Sequence, residues 1–231
     1  MLELGVKMNR EIRQATRQMV DHLVAQGFPD EAFIIDYAAF NAWPDLDPQP
    51  EVTDQEWMDF VELMVAERLE KRRRAEQRWS RLTDCDRLDM AFADLQEQGI
   101  LARQNFRCCS NCASFSVYFE IDDEKREKGF WKGYVFYHSQ DTECAPGGTL
   151  YLGFGAMDER EREDEGEAAR KAIGEAVVET LGRYKLKTSW NGDHATRIKV
   201  VDLNWRRRRF TAPPKIKVVD WEELMRSRAS A

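Results

Sequence analysis

The stretch TDCDRLDMAFADLQEQGILARQNFRCCSNC, residues 83–112, contains the signals from which the fold is predicted. The run Thr83 to Asp86 has the composition of an acid-containing helix cap, and a stripe of apolar residues follows at helical spacing. Gly99 marks the end of that helix. The alternation from Ile100 to Phe106 predicts a strand. The cysteine cluster Cys108 to Cys112 is therefore expected at a strand-to-helix junction.

Four further strands are predicted downstream from their β-branched and aromatic composition. They cover residues 134–138, 150–154, 186–190 and 197–205. A helical stripe over residues 169–181 separates the second of these strands from the third. The order of elements predicts an α+β fold, with N-terminal helices followed by a mostly antiparallel sheet of about five strands with helices packed on one face.

The first third of the chain is predicted to be helical. Two short helices are followed by a segment with three prolines between Trp43 and Pro50, which excludes a regular element there. Thr53 to Glu56 form a capping box that opens a long amphipathic helix. The predicted organisation is a helical extension (1–50), a connecting helix (51–82), an α+β domain with the cysteine cluster (83–210) and a C-terminal tail (211–231).

Composition narrows the class of protein. The chain has 231 residues, a formal net charge of −7 and a pI of about 5.2, which argues against a broad nucleic-acid-binding surface. No apolar run approaches the roughly 18 residues that a membrane helix needs. The N-terminus lacks the pattern of a signal peptide, so we expect a cytoplasmic protein without membrane contact. Five cysteines in that compartment are expected to be thiols or metal ligands.

A set of ordered motifs between Thr83 and Arg208 resembles a bacterial family that is classed only as a domain of unknown function. The resemblance covers a little over half of the chain and supports a boundary near residue 80. It implies no activity. The residues that carry it are TDCDRL (83–88), NFRCCSNC (105–112), GYVFYHSQDTE (133–143), residues 148–156 and WRRR (205–208).

The cysteine cluster allows three interpretations. Cys109 and Cys112 form a C-x-x-C pair, whose spacing suits either a redox-active dithiol at a helix start or two ligands of a zinc ion. Zinc is therefore one cofactor that the sequence allows. Two more zinc ligands would have to come from Cys85, Cys144 or His138, which lie on separate elements. The third interpretation is that these cysteines are small apolar residues near a strand end.

His138 follows a predicted central strand, where functional residues are commonly found. With Asp141 or Asp84 to orient it, this histidine could act as a general base. With a cysteine nearby, it could instead activate a nucleophile. The structural alternatives are a buried histidine whose hydrogen bonds are satisfied, and an aspartate that caps a helix.

The basic run Arg206, Arg207, Arg208 and Arg209 combines positive charge with the neighbouring Trp205, as nucleic-acid-binding segments often do. Its structural alternative is a terminal strand whose charges discourage edge-to-edge pairing.

Recognised catalytic motifs are absent from the sequence. We therefore expect an intracellular binding protein of the inhibitor or immunity type, with a protein partner. The first alternative is a metal- or thiol-dependent enzyme that uses the Cys109/Cys112 and His138/Asp141 region. The second is a nucleic-acid-binding protein that uses the C-terminal arginines, although the acidic charge argues against it.

Overall fold

The computed structural model describes residues 10–42, 52–120, 129–157 and 163–214. The predicted proline-rich connector and most of the predicted tail lie outside these residues. The described part contains seven helices and five strands. The helices are α1 (Arg10–Gln26), α2 (Glu31–Ala42), α3 (Asp54–Gln77), α4 (Asp84–Glu97), α5 (Ser110–Val117), α6 (Ser139–Cys144) and α7 (Glu163–Arg183). The strands are β1 (Ile100–Arg103), β2 (Gly133–Phe136), β3 (Leu150–Ala156), β4 (Lys187–Ser189) and β5 (Ile198–Val201).

Two of the helices begin with the predicted caps. At α3, the Glu56 amide donates to the Thr53 hydroxyl at 3.2 Å, and the Thr53 amide donates to the Glu56 carboxylate at 2.8 Å. At α4, Thr83 and Asp86 make the same reciprocal pair, at 3.1 and 2.8 Å. Each box satisfies amides that the first helical turn leaves without a partner. Helix α4 therefore starts at the position that the sequence predicts.

The five strands form one mixed sheet in the order β1-β2-β3-β5-β4. β1 and β2 are parallel, and the other three pairs are antiparallel. The α+β class and the mostly antiparallel sheet are therefore confirmed. The last strand ends at Val201, earlier than predicted, because Asp202 adopts a positive φ of 54° and turns the chain.

The two long helices α4 and α7 cover one face of the sheet and contribute to its main apolar core. A smaller apolar cluster lies on the opposite face, where Ala113 and Val117 of α5 pack on Leu101 and Phe136. The short helix α5 thus covers the second face at β1 and β2, while the long helices share the first face as expected.

The three N-terminal helices α1, α2 and α3 pack around an apolar core of their own. The segment 205–210 after β5, here the arginine segment, contacts both this helical part and the sheet part. Its Trp205 indole donates to the Gln26 carbonyl at 3.1 Å, and the amides of Arg209 and Phe210 donate to the Glu76 carboxylate. Among the described helices, none is long and apolar enough to cross a membrane.

Candidate functional site

The candidate site lies at one edge of the sheet. β1 and β2 are parallel neighbours, so the chain leaves both strands on the same side. Backbone hydrogen bonds join the two exits: the Phe106 amide donates to the Tyr137 carbonyl at 2.8 Å, and the Ser139 amide donates to the Arg107 carbonyl at 3.0 Å. Two motifs that are distant in sequence are thereby held side by side.

The loop that leads to the cysteines contains two left-handed residues. Asn105 has a φ of 48° and Arg107 a φ of 62°, a conformation that costs a non-glycine residue about 1 to 2 kcal/mol. Side-chain bonds support this loop, because the Thr142 hydroxyl donates to Asn105 Oδ1 at 2.8 Å and the Ser139 hydroxyl donates to the Arg107 carbonyl at 2.9 Å. The path of the chain into Cys108 is therefore fixed from both sides.

Three thiols meet at the start of α5. The sulfur atoms of Cys108, Cys109 and Cys112 all lie within 4.8 Å of one another, and those of Cys108 and Cys109 are 3.9 Å apart. Cys109 is the N-cap residue of α5, so Cys112 follows it on the same side of the first turn. All three thiols are free, and Cys108 and Cys112 are exposed to solvent.

The thiols of Cys109 and Cys112 differ in acidity. The backbone amide and the thiol of Cys112, with the thiol of Cys108, hold the pKa of Cys109 below its ordinary value. The same interactions with Cys108 and Cys109 raise the pKa of Cys112 to about 11. Cys109 therefore becomes a thiolate more readily than Cys112.

The other two predicted ligands lie elsewhere. Cys85 is buried in α4, where burial raises the pKa of its thiol to about 12. Cys144 is exposed at the end of α6. Within the described residues, Cys108, Cys109 and Cys112 are the one group of three or more potential ligands within 4.8 Å of one another. Cys108 is a potential ligand that was not among the residues predicted to bind metal, although its position next to Cys109 was the signal for it.

A second polar cluster is centred on Asp141 in α6. The Arg197 guanidinium donates to both of its oxygens, at 3.0 and 2.6 Å, and the His138 amide donates to it at 3.0 Å. His138 Nε2 lies 3.2 Å from the same carboxylate. The side chains of His138 and Asp141, two of the candidates from the sequence, thus lie together. Asp84 is apart from them and pairs with Arg87. No local signal in the sequence pointed to Arg197.

Burial lowers the pKa of His138 below 6.5, and Arg197 adds to this effect, while Asp141 and Glu143 oppose it. Nδ1 of this buried histidine has no hydrogen-bond partner in the part of the chain that the structure describes. The ring is therefore held in its neutral form near pH 7.

We expect the folded state to lose stability as the pH falls through about 6.5. His138 then binds a proton in the unfolded chain but, because its pKa is lower in the folded state, stays neutral there. Urea unfolding between pH 7.5 and pH 5 measures this slope. His138→Gln should flatten it, whereas His22→Gln, at an exposed position in α1, should leave it unchanged. Equal slopes in the wild type and in His138→Gln would contradict the assignment.

The arginine segment uses its charges within the protein. Arg207 donates to Asp89 at 2.8 Å and to Gln104 at 2.7 Å. The guanidinium of Arg208 lies 3.0 Å from the Asp86 carboxylate, and both side chains are buried. Arg206 is exposed. Two of the three arginines proposed for nucleic-acid binding are therefore already ion-paired inside the fold.

Comparison with known proteins finds one family. The family described as "Domain of unknown function (DUF6891)" matches residues 9–209, which include α1, α2 and α3 as well as the sheet. No curated protein and no solved structure matches the chain. The matched range begins well before residue 83, so the N-terminal helices are part of the family unit.

Proposed function

We propose a function from the site itself, because the chain belongs to DUF6891, a family described only as a domain of unknown function. The proposed function is binding of a thiophilic metal ion, of which zinc is the prototype, through Cys108, Cys109 and Cys112. The third sulfur is the observation that carries the proposal. A dithiol needs two cysteines, whereas three thiols in mutual contact on an exposed surface form a ligand set.

The sulfur positions fit a tetrahedral ion closely. Zinc–sulfur bonds of about 2.3 Å at tetrahedral angles place two sulfurs about 3.8 Å apart. The Cys108 and Cys109 sulfurs are 3.9 Å apart, and every pair in the trio lies within 4.8 Å. Side-chain rotations that change the sulfur–sulfur distances by about 1 Å therefore suffice to bring all three sulfurs into the coordination sphere.

The proposed site leaves one coordination position open. A structural zinc site has four protein ligands, and a site with three keeps a position for water or substrate. Cys108 and Cys112 are exposed, so solvent can reach the trio. Three thiolates and a divalent ion have a net charge of −1, which the positive end of the α5 dipole favours. These features support a reactive or metal-transfer site over a purely structural one.

A second candidate function is thiol–disulfide exchange. Cys109 and Cys112 have the C-x-x-C spacing, with Cys109 at the N-cap of α5. In this reaction the Cys109 thiolate attacks a partner disulfide and releases one partner thiolate. Cys112 then displaces the second partner sulfur, so that the partner is reduced and the pair is oxidised. Cys108 is not needed for this cycle, and that difference separates the two candidates.

Cys108→Ser tests the metal proposal directly. We expect the wild-type chain to bind one Zn²⁺, and Co²⁺ substitution to give the absorption of thiolate coordination. Cys108→Ser should weaken Zn²⁺ binding by at least about 100-fold in competition with a chelator. Cys144→Ser is the matched control, because that thiol is also free and exposed but lies outside the trio. Its affinity should equal the wild-type value.

Two outcomes would contradict the metal proposal. One is a wild-type chain that binds no Zn²⁺ at neutral pH. The other is a Cys108→Ser variant that binds Zn²⁺ as tightly as the wild type. The second candidate would be supported instead if the wild type bound no metal and the Cys108→Ser variant still cycled between its dithiol and disulfide forms.

The inhibitor or immunity type of activity, the protein partner and the cytoplasmic location stay predictions. The exposed face of α5 beside the trio supports a contact with a partner. There the ring of Phe115 lies 5.1 Å from that of Phe119, two residues after the helix ends, and both rings are largely exposed to solvent. Exposed aromatic pairs of this kind are enriched at protein interfaces.

A further inference from the structure

A cleft of about 670 Å³ separates the N-terminal helices from the edge of the sheet. One wall comes from α1 and the start of α2. The other wall comes from Asn105, in the loop after β1, and from Ser139 and Glu143 of α6. Its volume is in the range of small-molecule sites, which often lie where two parts of a protein meet.

Aromatic rings line the side of the cleft formed by the helices. Phe33 and Tyr37 are one turn apart on α2, and their rings stack with centroids 5.6 Å apart. They are 50% and 43% exposed in spite of that stacking. Phe28 also lines the cleft, and the Arg207 guanidinium, 4.6 Å from its ring centroid, helps to hold it in place. The rings of Phe33 and Tyr37 thus offer preformed π surface that the protein leaves partly uncovered.

The charged groups in the cleft are acidic. Asp30 and Glu143 both line it, and no Lys or Arg side chain is found among its described lining residues. Asp30 accepts the Phe33 amide with Oδ1 at 2.8 Å, and its carboxylate also interacts electrostatically with the Arg209 guanidinium. Glu143 makes no hydrogen bond or ion pair within the described residues. Among the described residues, its charge acts on His138 but forms no ion pair.

From these contacts we propose that the cleft binds a small organic cation, an ammonium or guanidinium group attached to an apolar or aromatic body. A bound cation is stabilised electrostatically by the faces of aromatic rings and by nearby carboxylates. The two contributions to the binding energy add when both groups contact the same cation. A neutral molecule of the same shape gains only the apolar contact. An anion is repelled by Asp30 and Glu143.

This site does not depend on the thiols. Asn105 belongs to the loop that leads to Cys108, but none of the three cysteines of the trio is among the residues that line the cleft. Substitutions in the trio should therefore leave binding in the cleft unchanged. Failure of the metal proposal and failure of the cation proposal can be told apart for that reason.

Isothermal titration calorimetry on the full chain tests the proposal with three matched probes: 2-phenylethylammonium, 2-phenylethanol and 3-phenylpropanoate. We expect the ammonium probe to bind at least about tenfold more tightly than the alcohol, and the carboxylate probe to bind most weakly. Glu143→Gln should lower the affinity for the ammonium probe by about three- to tenfold and leave the affinity for the alcohol unchanged. Tyr37→Ala should weaken the ammonium probe by a similar factor.

Each variant has a matched control. Phe40→Ala removes an exposed ring from the same helix as Tyr37 but outside the cleft, and Glu62→Gln removes an exposed charge from α3. Both should bind the ammonium probe as the wild type does. Because Tyr37 and Glu143 are themselves exposed, we expect their variants to fold, and circular dichroism verifies this. Equal affinity for the ammonium and the alcohol, or no ammonium binding up to about 10 mM, would overturn the proposal.

Discussion

Glu76→Ala is expected to lower the free energy of unfolding by about 3 to 5 kcal/mol, because it removes the centre of a buried polar network. The Glu76 side chain is fully buried and lies 3.0 Å from the Arg72 guanidinium. It also accepts the backbone amides of Arg209 and Phe210. The variant leaves the part-buried amides of Arg209 and Phe210 without this acceptor, and Arg72 keeps only its bond to the Arg207 carbonyl. Each unsatisfied group costs about 1 to 3 kcal/mol. Urea unfolding followed by tryptophan fluorescence measures the loss.

Glu70→Ala is the matched control for Glu76→Ala. Glu70 lies on the same helix and also pairs with arginines, Arg73 and Arg74, but all three side chains are about half exposed or more. Exposed pairs of this kind contribute less than about 1 kcal/mol. If both variants lost the same small amount of unfolding free energy, Glu76 would not be what holds the arginine segment to α3.

Asp86→Ala is expected to have a similarly large effect, again about 3 to 5 kcal/mol. The side chains of Asp86 and Arg208 are only 4% and 6% exposed, and their charged atoms are 3.0 Å apart. The variant would leave the Arg208 guanidinium buried with neutral partners, the Trp79 and Arg81 carbonyls and the Thr211 hydroxyl. It would also remove the acceptor for the Thr83 amide at the start of α4.

Thr83→Ala separates the two roles of Asp86. That variant removes half of the capping box and leaves the ion pair with Arg208 in place, so it should cost only about 1 kcal/mol. Thermal unfolding of the two variants side by side gives the difference. Equal losses would show that capping, rather than the buried charge pair, accounts for the effect of Asp86.

Local signals in the sequence predicted the fold well. Thr53 and Thr83 each begin a helix where the capping pattern places them, since a cap depends on residues only three positions apart. The strand-to-helix junction at the cysteines follows from similarly local patterns. The early end of β5 at Asp202 could not be predicted, because a left-handed aspartate has no signature that distinguishes it from a strand residue.

Contacts between distant residues were not predictable. Asp86 was interpreted as a capping residue, and it is one, but it also pairs with Arg208, 122 positions away. The arginine segment was interpreted through its composition, although its role in the fold is set by partners that no local pattern identifies. The same limit applies to Arg197, whose partner Asp141 is 56 positions away. Within the cysteine cluster, by contrast, adjacency alone was enough to bring Cys108 to its neighbours.

The arginine segment also sets the order in which the chain can complete its folding. Trp205 and Arg209 bond to the carbonyls of Gln26 and Pro29, which lie 179 and 180 positions earlier. At a synthesis rate of about 5 to 20 residues per second, a ribosome needs roughly 10 to 35 s to make the chain between them. Contacts of such high sequence separation also close slowly. Helix α1 is therefore among the first elements to be synthesised and among the last to reach its final contacts.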